Sequence, residues 1–300
     1  MTEKILALKI SVNSYAGTRN GVPRLLDLLA CSDAHGTFYF SMGPDNSGKT
    51  LKRIFTQKGY LNNLLRSGAT SGNNLIALLY GTLLPAPMIA ESFPDILKSV
   101  ESAGHQVGIH SWDHVKWEDY LPWFPKHLTA MELGRAAARF EDIFGYRAVT
   151  TAAPGGVISL DSLEVQDAMG LDFCCDSSGT EPFYPVMSGR RFRTLQIPTT
   201  LPTALEIIRT GSVMANNLHE FYWNNMKEGL NVLSISPEQE GNPLLDSFAR
   251  LMNKLRGEGI RVISMAEAAA GIISAPASEL FMGEIPGRTG KVAIQGSRVP

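Results

Sequence analysis

The chain has 300 residues, 44% of them hydrophobic, with 27 Lys and Arg against 29 Asp and Glu. This suffices for one large buried core, and the near balance of charge excludes a basic footprint for nucleic acid. The three cysteines, Cys31, Cys174 and Cys175, make no disulfide framework and read as small hydrophobes, and no signal-peptide pattern follows the first strand, so a cytoplasmic location is expected.

In chain order, short β-rich runs alternate with helical patterns. Ile5–Ile10 reads as a strand. Thr18–Ala30 reads as a helix with Pro23 in its first turn and Leu25, Leu26, Leu28 and Leu29 turned inward. Thr37–Phe40 is a second strand. The rhythm then breaks over Gly43–Ser92, which reads as an insertion. Within it Leu75–Ala90 is uncharged, interrupted by Pro85 and Pro87, and too short to span a bilayer. Its composition favours a buried hairpin over a segment lying on a membrane surface.

Phe93–Ala103 is a helix closed by Gly104, followed by the strand Gln106–Ile109. Leu128–Phe144 is a helix ending at Gly145, followed by the strand Ala148–Thr151. The helix Leu160–Met169 and the strand Leu171–Cys175 repeat the unit. Arg193–Ile197 and Val232–Ile235 are further strands. The helix Phe248–Arg256, the strand Arg261–Ser264 and the helix Met265–Ile272 complete the pattern, and 285–300 is Gly-rich and aperiodic.

Parallel strands with helical returns imply a doubly wound sheet or a barrel. Either would place chemistry just past the strand C-termini. Polar residues gather there: Ser11 and Asn13 after the first strand, then His110, Asp176 and Ser236. His110 and His114, in IHSWDHVKW, have the spacing at which two imidazoles share one face of a helical turn and can share a metal. Such a metal needs a third, preferably anionic, ligand. Trp112, Asp113 and Trp117 beside them mark a pocket. GPDNSGKT, Gly43–Thr50, matches the phosphate-loop pattern, yet no second strand ending in a magnesium-binding Asp accompanies it.

The segment GIHSWDH, Gly108–His114, resembles the polysaccharide deacetylase (NodB-like) superfamily. GTRNGVPRLL (Gly17–Leu26), FSMGPDN (Phe40–Asn46), QIPTTLPT (Gln196–Thr203), EQEG (Glu238–Gly241), IPGRTG and QGSR extend the likeness over nearly the whole length. Within the superfamily the pattern is similar to the deformylases of 4-deoxy-4-formamido-L-arabinose-phosphoundecaprenol. The resemblance implies an α/β fold, a distorted TIM-like (β/α)7 barrel over 1–284 as one domain, with a 285–300 tail. It implies that the 43–92 insertion faces lipid or substrate and that 75–90 makes peripheral contact with the inner face of a membrane. It gives GPDN no nucleotide role.

The resemblance also implies a hydrolase of non-peptide C–N bonds. In that family two aspartates end the first strand, one a general base and one a metal ligand. Two histidines complete the metal triad, an arginine steadies the base, and a late histidine is the general acid. Here Ser11 stands at the base and Asn13 at the anionic ligand. No Arg lies between Arg147 and Arg190, and Ser236 replaces the acid.

Two imidazoles and an amide leave a dication uncompensated, so no cofactor is expected. His110, His114 and Asn13 would hold zinc or cobalt weakly. Joint loss of the base and its arginine suggests a neutral pocket. His110 or His114, oriented by Asp113 or Asp176 and flanked by Ser11 and Ser236, is expected to shuttle protons. Asn13, Trp112, Trp117 and Glu238 are expected to bind a small or lipid-linked amide or amino-sugar-like substrate. The chemistry expected is cyclisation, elimination, isomerisation or amide or ester cleavage. The alternatives are a deformylase or deacetylase with a weakened metal site, and an inactive binding protein.

Overall fold

The structure, a computed structural model, describes residues 4–57, 60 and 74–300. The parallel sheet contains β1 (Lys4–Val12), β2 (Thr37–Ser41), β3 (Gln106–Ser111), β4 (Thr150–Thr151) and β5 (Phe173–Cys174). A second sheet takes β6 (Tyr184–Met187) and β7 (Arg190–Arg191). The parallel sheet resumes with β8 (Leu195–Gln196), β9 (Gly229–Ile235) and β10 (Arg261–Ile263). The hairpin β11 (Ala277–Gly283) and β12 (Val292–Val299) completes the second sheet.

β1 is the centre of the molecule because KILALKISV is apolar almost throughout, as a strand covered on both faces must be. Lys4–Ile10 pair with Gly229–Ile235, Ile5–Ala7 with Arg261–Ile263, and Lys9–Val12 with Thr37–Phe40, all in parallel. The order then runs β2-β3-β4-β5-β8. Beyond β8 the chain returns to β9 through a parallel bridge from Leu201 to Leu233 and the bond of Leu201 N–H to the Val232 carbonyl. Seven strands thus curl into a distorted, incompletely closed barrel, and β10 rests on the start of β1.

The helix Val22–Cys31 packs Leu25 and Leu29 fully into the core, each worth about 1.5–3 kcal/mol of burial. It does not begin at Thr18, as the sequence predicts. A π turn, Gly17–Gly21, precedes it. Space explains the turn's glycines. A Cβ on Gly17 would lie 2.3 Å from Glu238 Oε1, and one on Gly21 would lie 2.2 Å from the Pro237 carbonyl oxygen. The helix Lys126–Phe144 ends as expected at Gly145, whose φ of 79° is left-handed.

Helices Ala204–Thr210 and Leu218–Asn225 have no counterpart in the sequence reading. The first is started by a capping box of Thr203 and Glu206. The stretch 285–300 is likewise not aperiodic, since it contains β12. There Gly296 interrupts the alternation, and a bulge at Ser278/Leu280 shifts the pairing. Gln295 N–H donates to the Ser178 carbonyl at 2.9 Å and ties this hairpin to the barrel rim.

The insertion leaves and rejoins the barrel at one place: Pro44 bridges Met88, and Ile89 N–H donates to the Gly43 carbonyl at 2.9 Å. Ile89 and Ala90 are buried, whereas Ile76, Leu83 and Leu84 are exposed. No helix among the described residues is long and apolar enough to cross a membrane.

Candidate active site

Lys9, Ser11 and Asn13 alternate along β1 and just past it, so all three face one side. They open on a cavity of roughly 210 Å³ at the C-terminal ends of the strands, which His110 from β3, Asp176 after β5 and Ser236 after β9 also line. Five of the residues predicted from strand ends therefore meet: Ser11, Asn13, His110, Asp176 and Ser236.

Asp176 is buried and its carboxylate is engaged. Oδ1 accepts from Ala153 N–H at 2.6 Å, and Oδ2 accepts from Gln166 Nε2 at 2.9 Å and Gln196 Nε2 at 3.0 Å. Burial raises its pKa, and those bonds together with the Lys9 charge pull the other way. Lys9 Nζ donates to the Cys175 carbonyl at 2.5 Å. Burial lowers the Lys9 pKa, and the Asp176 carboxylate opposes the shift.

His110 is held neutral, with its pKa well below the imidazole value. Burial is the main cause, and Lys9 and His114 add repulsion. The Nδ1 atoms of His110 and His114 and the Oδ1 of Asn13 are all buried without a hydrogen-bond partner. Neither histidine is oriented by Asp113 or Asp176, contrary to expectation. Asp113 caps the helix His114–Tyr120 through Lys116 N–H at 3.0 Å and accepts from Asn46 Nδ2 at 2.6 Å. Its carboxylate is consumed by local structure, as that of Asp176 is.

His114, Trp112, Trp117 and Glu238 do not line the cavity. Trp117 is buried and donates its indole N–H to the Val157 carbonyl at 2.9 Å. Trp112 stacks with the Arg135 guanidinium, 4.4 Å from the ring centroid. Glu238 Oε1 takes the N–H groups of Asn13 at 3.1 Å and Ser14 at 2.9 Å, and the Ser14 hydroxyl at 2.7 Å. It shapes the loop that carries Asn13 and does not reach the cavity.

The expected neutral pocket is instead a charged one. Lys9, Glu118, Glu206, Arg209, Glu240 and Arg288 line it. Glu240 accepts from Ser236 N–H at 2.8 Å, and burial, with Glu238 adding, pushes its pKa up to about 7. The sequence carries signals for two of these groups that their motifs conceal. Lys9 is the one charge in the middle of an apolar strand, and Glu240 closes EQEG.

The phosphate-loop match holds no phosphate cradle. The Asp45 carboxylate already occupies the turn, accepting from Ser47 N–H at 3.0 Å and Tyr15 N–H at 2.8 Å. A metal fits poorly as well. The ligands the resemblance would assign, two imidazoles and an amide, bring no negative charge, Asp176 is committed to amide donors, and Lys9 adds positive charge. Among the described residues no group of three or more His, Cys, Asp or Glu side chains is placed to hold a metal ion.

The family model for polysaccharide deacetylase matches residues 12–174. The chain belongs to the polysaccharide deacetylase family. A relative from Shewanella sediminis, named 4-deoxy-4-formamido-L-arabinose-phosphoundecaprenol deformylase ArnD, is 30% identical over 296 residues, 98% of this chain and 95% of that one. A relative of the same name from Wigglesworthia glossinidia brevipalpis is 28% identical over 283 residues, 93% of this chain and 98% of that one. A Mycobacterium smegmatis protein described as a polysaccharide deacetylase shares the fold, with a TM-score of 0.61 over 89% of this chain and 90% of that one at 16% identity. The deacetylase barrel is thus intact around a site whose charges are differently arranged from those the family resemblance implies.

Proposed function

We propose that this chain is a repurposed deacetylase-family enzyme that transfers protons with His110 and Glu240 on a small or lipid-linked amide or amino-sugar-like substrate, without depending on a tightly held dication. One observation carries the reading: a buried, partnerless imidazole nitrogen and a carboxyl of near-neutral pKa belong to residues lining the same cavity. The neutral imidazole accepts a proton at Nδ1. The protonated Glu240 gives one to the atom that gains electrons, and the Lys9 ammonium favours negative charge developing there. Isomerisation, elimination, cyclisation and amide or ester cleavage can all use such a pair.

The substrate in the relatives' names, a formamido sugar on a lipid phosphate, supports the substrate class. So does a second, apolar cavity of roughly 400 Å³ lined by Leu201, Pro202, Ile207, Phe221, Ile285 and Pro286. It shares Ser178, Thr199 and Glu206 with the polar cavity, so a polar head and an apolar chain have adjoining places. On this reading the exposed Ile76, Leu83 and Phe55 rest against the membrane's inner face.

Formamido-sugar substrates, free and lipid-linked, test the proposal in the wild-type, His110→Ala and Glu240→Gln proteins. Each substitution is expected to lower turnover roughly 100-fold or more. Wild-type turnover is expected to fall as pH rises above about 7, as Glu240 loses its proton. Turnover unchanged in both variants would remove the reading.

A further inference from the structure

Beside the proton-transfer groups, the cavity wall carries a cation with no ion pair of its own among the described residues. Arg209 and Arg288 both line the cavity. Arg288 is paired: its guanidinium meets Glu206 Oε1 at 2.8 Å. The other oxygen of Glu206 is used in the capping box, accepting from Thr203 N–H at 2.9 Å. Arg288 is also fixed from behind, since a Cβ on Gly287 would lie 2.1 Å from the Glu206 carbonyl oxygen, so the turn presses directly on the helix Ala204–Thr210.

Arg209, one turn along that helix, has no ion pair or hydrogen bond among the described residues, and its Nε is buried without a partner. Burial and the neighbouring Arg288 both work against its charge, and Glu206, which already pairs with Arg288, offsets them only in part. Of the other charged groups around the cavity, Lys9 lies near Asp176, Glu118 pairs with Arg53 at 2.8 Å, and burial pushes the Glu240 pKa up to about 7, so its carboxyl carries no charge below that pH. Glu206 therefore answers for one guanidinium where two are present.

We infer that Arg209 and Arg288 form an oxyanion-binding subsite at the junction of the polar and apolar cavities, which takes a phosphate or carboxylate group of the ligand. A guanidinium presents a planar fork of N–H donors suited to both anions. An anion there would satisfy the buried Nε and restore local charge balance. The subsite lies where the two cavities share Glu206, between the places for a polar head and an apolar chain. The inference rests on the cavity being the substrate site, and it requires no proton transfer. A binding measurement therefore separates its failure from a failure of the catalytic reading.

The test is calorimetric titration of the full chain at low ionic strength with inorganic phosphate and, separately, with acetate. It compares the wild type with Arg209→Gln and with Arg250→Gln, which changes an exposed arginine. One anion is expected to bind the wild type, to bind Arg209→Gln at least tenfold more weakly, and to bind Arg250→Gln as it binds the wild type. The preferred anion assigns the ligand group as phosphate or carboxylate. The bound anion is expected to raise the melting temperature of the wild type but not of Arg209→Gln. Arg209→Gln alone is expected to melt no lower than the wild type, because Arg209 holds no structural bond. No binding of either anion, or equal weakening in the Arg209 and Arg250 variants, would overturn the subsite.

Discussion

Glu240 couples the site to the stability of the fold. Its pKa in the folded protein, about 7, lies above the ordinary carboxyl value of 4.5. Between those values the folded state keeps a proton that the unfolded state has lost. The resulting stabilisation is complete below pH 4.5 and disappears as pH rises through 7. A shift of this size is worth about 3 kcal/mol. Glu240→Gln cannot ionise, so relative to the wild type it is expected to gain stability by up to that amount from pH 4.5 to 8. Denaturant midpoints of the two proteins across that range check this, and a constant difference would refute it. Ser11, Asn13, His110, Asp176 and Ser236 stand out in the sequence because polar residues at strand ends are conspicuous, and all five line one cavity. Trp117, Glu238 and Asp113 lie off the cavity lining, which spacing could not reveal, because each spends a polar atom on the backbone.

Among the elements, long buried strands were the most legible. β1 and β9 read directly as apolar runs, whereas β6 and β7, with four and two residues, were too short to show a period. The π turn at Gly17–Gly21 was hidden inside a helical pattern, because the loop that packs against its glycines, Pro237–Glu238, is far away in sequence. That packing can be tested. Gly21→Ala puts a methyl 2.2 Å from a backbone carbonyl oxygen, which cannot swing aside as a side chain can. It is expected to cost roughly 1–3 kcal/mol, the usual range for overpacking, read as a lower denaturation midpoint. Gly134→Ala is the control, since a Cβ there meets nothing within 4 Å in the helix Lys126–Phe144. Equal stability of Gly21→Ala and the wild type would mean that the turn and the loop do not touch as described.

At the scale of the molecule, alternating strands and helices already implied a parallel α/β architecture, and the motif at Gly108–His114 implied the barrel. The charge of the cavity was not legible. Its ionic groups come from the first strand, the helices His114–Tyr120 and Ala204–Thr210, the loop after β9 and the turn at Gly287–Arg288, which only the folded barrel brings together. That charge pattern bears on metal binding, because two imidazoles and an amide beside a buried lysine are a poor cage for a dication. The most direct measurement is the metal content of the full chain, purified without added metal and without chelators, by elemental analysis. Zinc, cobalt and other divalent metals are expected well below one equivalent per chain, with His110→Ala unchanged. Close to one equivalent of a divalent metal in the wild type, lost in His110→Ala, would contradict the account.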